Sequence, residues 1–191
     1  MVLPGHLAGG YLTATALLQI FQPDLPVNQI YSLLAIGTLA GELPDIDLIF
    51  FYFKHRKDKP GIDVPEAHED AESHRNYITH VPIFWIILSS SISAIGALFG
   101  SLFVVFIGLV MLCGTLSHLI LDSIEYGIRW TAPWSKRRFA LMPMPETSNG
   151  DRPGSIIQYV HFIIRTYWKT TTIWVEFVVT ILALAVLFKS L

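Results

Sequence analysis

Residues 102–123 read LFVVFIGLVMLCGTLSHLILDS, an apolar run with no charge or imidazole until His118 and Asp122. A stretch of this length reads as a helix that crosses a bilayer, whose ~30 Å hydrocarbon core takes about 20 helical residues. His118 and Asp122 are four positions apart, so on that helix they share one face. A charged Asp at mid-span costs roughly 2.5–3.5 kcal/mol on insertion scales. Both groups accordingly sit at the end of the run, where it meets water.

Composition agrees with a membrane solvent. The chain has 191 residues, 52% hydrophobic and only 15% charged, with a mean hydropathy of +0.51. Soluble domains carry about 25% charged residues. A net charge of −2 argues against nucleic acid as the main partner. Cys113 is the only cysteine, so no intrachain disulfide forms, and its place within the run makes it a packing residue. No Lys or Arg precedes the apolar stretch starting at Leu7, and no small-x-small cleavage pattern follows. The expectation is that no signal peptide is removed and that His6 is retained.

Five apolar stretches stand out, at 6–21, 28–43, 79–100, 102–123 and 172–188. The expected fold is all-α: one integral membrane domain over 1–191, a polytopic helix bundle of about five spans. Pro44 argues for a break after the second span, so that helix is expected to end near Leu43 and pass into an extended acidic turn. The aromatic segment 48–53 then lies at the interface. Residues 155–171 carry Gln158, His161, Arg165 and Lys169 at helical spacing among apolar residues, the pattern of an interfacial amphipathic helix. His161 on its polar stripe is read as facing water, with an eighth ligand as the alternative.

Of the 13 Lys and Arg, five lie in 54–75 and seven in 129–169, leaving only Lys189 elsewhere. With five spans both basic segments fall on one side, and the positive-inside rule puts them and the N-terminus in the cytoplasm. The cytoplasmic segments are then 54–78 and 124–171. His55 and His68, in the solvated loop 54–73, read as exposed rather than as ligands.

This topology brings seven metal-ligating side chains to one membrane face. His6 begins the first span, Asp45 and Asp47 follow the second, His74 and His80 precede the third, and His118 and Asp122 end the fourth. In an extended turn Asp45 and Asp47 point the same way, as a shared cation requires. Thr79 reads as an N-cap with Pro82 in the first helical turn. His80 would then lie at the dipole-positive helix start, which disfavours imidazolium and keeps a neutral ligand.

The pieces PGHLAGG (4–10), GELPDIDLI (41–49), HRNYITH (74–80) and GTLSHLILDS (114–123) occur in order, with a weaker match through PWSKRRFAL (133–141). In this combination the chain resembles the LexA-binding, inner-membrane-associated hydrolases, also described as membrane-bound metal-dependent hydrolases. The resemblance implies an α-helical membrane protein and a divalent-metal hydrolase with a distant similarity to zinc-dependent phospholipase C. It carries His6, Asp45, Asp47, His74, Arg75, His80, His118 and Asp122 into the site. The chain departs from the family pattern at Asn76 and Val81, where members usually have Gly and Ser. LexA association leaves no visible signature in the chain.

The expected activity is hydrolysis of an ester or phosphoester, in a lipid or lipid-linked substrate, at the cytoplasmic face. Mixed imidazole and carboxylate donors suit Zn²⁺ best, with Mn²⁺ or Fe²⁺ as alternatives. Seven candidate ligands admit one ion or two. Asp47 or Glu42 is the candidate general base, and Arg75 either stabilises developing anionic charge or pairs with Asp45 or Asp122. Lys136, Arg137 and Arg138 read either as a substrate-headgroup site or as topogenic anchors within an aromatic belt. A cation transporter would hold its ligands near the bilayer midplane, unlike this chain. A non-catalytic scaffold or regulator with a structural metal is the remaining alternative.

Overall fold

The computed structural model describes residues 3–50, 74–142 and 167–190. Among these the chain is helical: α1 (Leu3–Phe21), α2 (Val27–Ala40), α3 (Pro82–Leu98), α4 (Leu102–Asp122) and α5 (Thr171–Ser190). Short 3₁₀ turns cover Leu43–Ile46, His74–Asn76, Ile78–His80 and Tyr167–Lys169. No strand occurs among the described residues, which hold one isolated bridge, Ile128 to Phe139.

Among the described residues, two helices are long and apolar enough to cross a bilayer: α4, 21 residues with mean hydropathy 2.3, and the 19 residues Thr171–Lys189 of α5, at 2.2. Of the expected five spans, the fourth and fifth are the ones these helices support. α2 and α3 are apolar but shorter, at 14 and 17 residues. At 1.5 Å per residue α2 reaches only about 21 Å. Outward residues Trp174, Phe177, Val178, Ile181 and Leu182 of α5 are exposed, a contiguous apolar face that suits hydrocarbon rather than water.

Local sequence sets the boundaries. Pro26 precedes α2 and Pro82 opens α3, each where a missing N–H goes unneeded. Gly100 adopts φ +68°, which lets Ser101 N–H return to the Gly96 carbonyl at 2.8 Å. Ser101 then caps α4 by accepting from Val104 N–H, so α3 and α4 form a tight antiparallel pair. Residues 54–73 and 155–166 lie outside the described residues, as do His55, His68 and His161. The expected amphipathic helix is corrected at its end: Thr171 begins α5, and Tyr167–Lys169 is a 3₁₀ turn.

α4 is the axis of the bundle, packed against α1, α2 and α3, while α5 packs on α1. Lipid tails remove the hydrophobic drive between helices, so association relies on close backbone approach at small residues. Gly10, Gly37 and Gly114 provide it. A Cβ on Gly10 would stand 2.5 Å from the Gly37 carbonyl oxygen, and one on Gly114 also 2.5 Å from it. One helical turn beyond these contacts stand His6, Gly41 and His118, so the glycine crossing delivers three site positions together. The apolar core of Ala14, Leu18, Leu33, Phe106 and Val110 fills the opposite end.

Candidate metal centre

His118 lies in the last turn of α4, fully buried. Its Nδ1 is 2.7 Å from the Gly41 carbonyl oxygen. Nδ1–H donates there, which leaves the Nε2 lone pair facing inward. Nε2 has no hydrogen-bond partner and stands 3.6 Å from Asp45 Oδ1 and 3.9 Å from Asp122 Oδ2. His6, from the first turn of α1, stacks on the His118 ring with centroids 3.7 Å apart. Its Nε2 is 3.5 Å from Asp122 Oδ1, and neither of its ring nitrogens makes a hydrogen bond.

His80 is gripped from both sides. Its Nδ1 lies 2.8 Å from Asp47 Oδ2, while Nε2 lies 3.4 Å from Asp45 Oδ1 and 4.0 Å from Asp122 Oδ2. Thr79 donates its hydroxyl to the same Asp47 oxygen, and Trp85 Nε1–H holds the Thr79 carbonyl at 2.6 Å.

The expected extended turn at Pro44 is corrected here. Leu43–Ile46 is a 3₁₀ turn, in which residues two apart diverge by about a third of a revolution. Asp45 therefore faces the Nε2 atoms, and Asp47 stands behind His80. α2 ends at Ala40, short of Leu43. The Thr79 cap is corrected too: Val81 precedes α3, no side chain caps that helix, and Thr79 serves Asp47 instead. His80 belongs to a 3₁₀ turn before the helix, and the acids decide its charge. Burial lowers its pKa, but the neighbouring carboxylates of Asp45 and Asp47 outweigh burial and raise it above the usual histidine value.

Arg75 Nε donates to Asp122 Oδ2 at 2.7 Å, and its guanidinium lies 4.5 Å over the Tyr126 ring. Of the two roles read for Arg75, the ion pair with Asp122 is the one seen. Burial lowers its pKa, but the charges of Asp122 and Asp45 overcome this and hold it above the usual value. Glu42 has a buried Oε1 without a hydrogen-bond partner. Burial first, then the charge of Asp45, pushes its carboxyl up to about 8. The side chain of His74 lies outside the described residues; its backbone opens the turn that carries Arg75.

Two donor groups result, His6–His118–Asp122 and Asp45–His80–His118, each with ligand atoms within 4.8 Å of one another. Donors roughly 2.0–2.2 Å from one ion in a tetrahedral array stand about 3.4 Å apart. The closest donor pairs here, 3.4–3.6 Å, match that spacing and are long for hydrogen bonds. Buried carboxylates and imidazoles without sufficient hydrogen bonds are expensive. A divalent cation is the partner their chemistry fits.

Two carboxylates escaped the sequence reading. Glu125 accepts from Thr171 N–H at 2.7 Å and from the Thr172 hydroxyl, capping α5. Glu176 accepts from Gly5 N–H at 3.3 Å, at the start of α1. Each is buried and anchors one helix start to another segment.

A family model described as YdjM inner membrane protein matches residues 1–191, and the chain belongs to that family. It supports the inner-membrane part of the family resemblance and carries no statement of LexA binding or hydrolysis. No curated protein and no solved structure matches the chain.

Proposed function

We propose that this member of the YdjM inner membrane protein family is a metal-dependent hydrolase. Its substrate is an ester or phosphoester in a lipid or lipid-linked molecule, and its site lies at the cytoplasmic face. One observation carries the reading: His6, His80, His118, Asp45 and Asp122 converge from four segments with ligand atoms at coordination spacing. His118 belongs to both donor groups, and one Nε2 lone pair serves one ion. A single ion, most suitably Zn²⁺, is therefore favoured over two.

When bound, a divalent cation supplies Lewis-acid polarisation and acidifies water near neutrality. The chain's residues do the rest. Gly41 and Asp47 fix the tautomers of His118 and His80, the arrangement that raises ligand basicity. Arg75 holds Asp122 in place and balances its charge. Glu42, a half-buried carboxyl three residues before Asp45 with an unpartnered Oε1, is the residue assigned the role of general acid–base.

The second reading is a scaffold with a structural metal. It draws on burial, since His6, His80, His118 and Asp122 are all 0% exposed. Asp45, with its side chain 17% exposed, is the one of the five donor residues that reaches solvent, and the enzyme reading draws on it. The discriminating experiment screens purified protein against a total lipid extract, with Glu42→Gln alongside. Lost turnover with metal content retained supports the enzyme. Metal content at wild-type level with no turnover on any lipid supports the scaffold.

A further inference from the structure

Between positions 126 and 145 the chain carries Arg129, Lys136, Arg137 and Arg138 and no Asp or Glu. The structure divides these four cations. Arg129 and Arg138 each donate through Nη2 to Asn76 Oδ1, at 2.8 and 2.7 Å. Lys136 and Arg137 stay exposed. Within the same nine residues Trp134, Phe139, Leu141 and Met142 are exposed as well.

This loop is not free to fold those side chains away. Ile128 and Phe139 exchange backbone hydrogen bonds at 3.0 and 2.9 Å, Leu141 N–H donates to the Ser123 carbonyl, and Met142 N–H donates to that of Ile124. Trp130 Nε1–H donates to Ser123 Oγ at 2.8 Å. Ile128 and Trp130 pack with Trp85 and Leu119, so the loop commits one apolar set to the bundle and holds a second set outside. Trp134 is 81% exposed. Clustered apolar groups of this kind mark a contact surface. The anchor points Ser123 and Ile124 directly follow Asp122, so the surface lies at the metal-centre end of α4.

Charge selects the partner. Aromatic rings beside Lys and Arg just past a span match the headgroup region, which accepts amphipathic rings and presents phosphates. A stretch with four cations and no acid complements an anionic surface. The surface also continues from α4, a helix already suited to a bilayer.

We infer that residues 134–142 dock on the anionic headgroup layer of the membrane the chain crosses. The apolar side chains enter that layer, and Lys136 and Arg137 meet its phosphates. Docking holds His118 and Asp122 at headgroup depth. It requires only that the chain span a bilayer, and neither a metal nor hydrolysis.

The test reconstitutes the full chain in vesicles of phosphatidylcholine, and of an equal mixture with phosphatidylglycerol, each containing lipids brominated near the top of the acyl chains. Comparison with Trp134→Phe isolates the quenching of Trp134 fluorescence. Trp134 should be quenched, more strongly in the mixed vesicles, and added salt should remove that excess. One Lys or Arg near an anionic surface is worth about fivefold in affinity. The phosphatidylglycerol fraction that gives half the excess should therefore rise about fivefold in Arg137→Gln or in Lys136→Gln. Both side chains are exposed, so the melting temperature should hold. An unquenched Trp134 in both vesicles overturns the inference, as does equal quenching with and without phosphatidylglycerol. An unquenched Trp134 that becomes shielded from acrylamide as protein density in the bilayer rises assigns the surface to a second copy, and overturns it too.

Discussion

Replacing Asp47 by Asn tests whether this residue orients a ligand or is one. Its Oδ2 receives His80 Nδ1 at 2.8 Å and the Thr79 hydroxyl, so Asp47→Asn keeps the shape and removes the charge. Hydrogen bonds to charged groups contribute about 1.5–3 kcal/mol, against about 0.5–1.5 for neutral pairs. The difference, roughly 1–1.5 kcal/mol, corresponds to about tenfold in affinity. That falls at the lower end of the ~10–100-fold effects of partners behind a ligating histidine. Asp45→Asn instead removes a carboxylate facing the ion, a loss of about 3 kcal/mol or more, which exceeds a hundredfold. The assay titrates zinc into chelator-treated protein against a chromophoric competitor at fixed pH. Equal losses in the two variants would refute the division of labour between Asp45 and Asp47, as would no loss in Asp47→Asn.

Three further outcomes are expected. Gly41→Ala would place a Cβ 2.2 Å from the His6 carbonyl oxygen, so it should lower the melting temperature and abolish metal uptake; Gly100→Ala, with nothing within 4 Å but φ +68°, should cost only about 1 kcal/mol and leave metal content intact. Glu42 carries a carboxyl near 8 in the metal-free fold against 4.5 unfolded, so the native state binds the extra proton and stability falls as pH rises through that window. Glu42→Gln should then raise the melting temperature of chelated protein at pH 8.5 and have little effect near pH 4.5; a pH-independent difference would contradict this. Glu125→Ala removes the acceptor for Thr171 N–H and the Thr172 hydroxyl and should destabilise by about 1–2 kcal/mol, read as faster proteolysis ahead of α5.

The helices were legible because hydropathy accumulates over a whole span. Residues 102–123 contain α4 to within one residue of its end. His118 and Asp122 were legible as a pair because helical spacing alone puts them on one face. The Pro44 turn was not, since a single 3₁₀ turn has no period to detect, and that misreading gave Asp45 and Asp47 a common direction. Contacts between distant segments were equally silent. Nothing local in Gly41 announces a carbonyl that fixes His118, 77 residues away. The buried caps Glu125 and Glu176 carry no local signal because the groups they accept from stand on distant helices. A clue was available in retrospect: His6–Gly10, Gly37–Gly41 and Gly114–His118 are three pairs at four-residue spacing, each joining a tight crossing to the site.

Elemental analysis of the protein purified in detergent and reconstituted with zinc tests the central claim most directly, with His118→Ala and Asp122→Asn in parallel. The account predicts one ion per wild-type chain and a clear loss in both variants. Near-zero metal in all three preparations, or equal metal in all three, would contradict it.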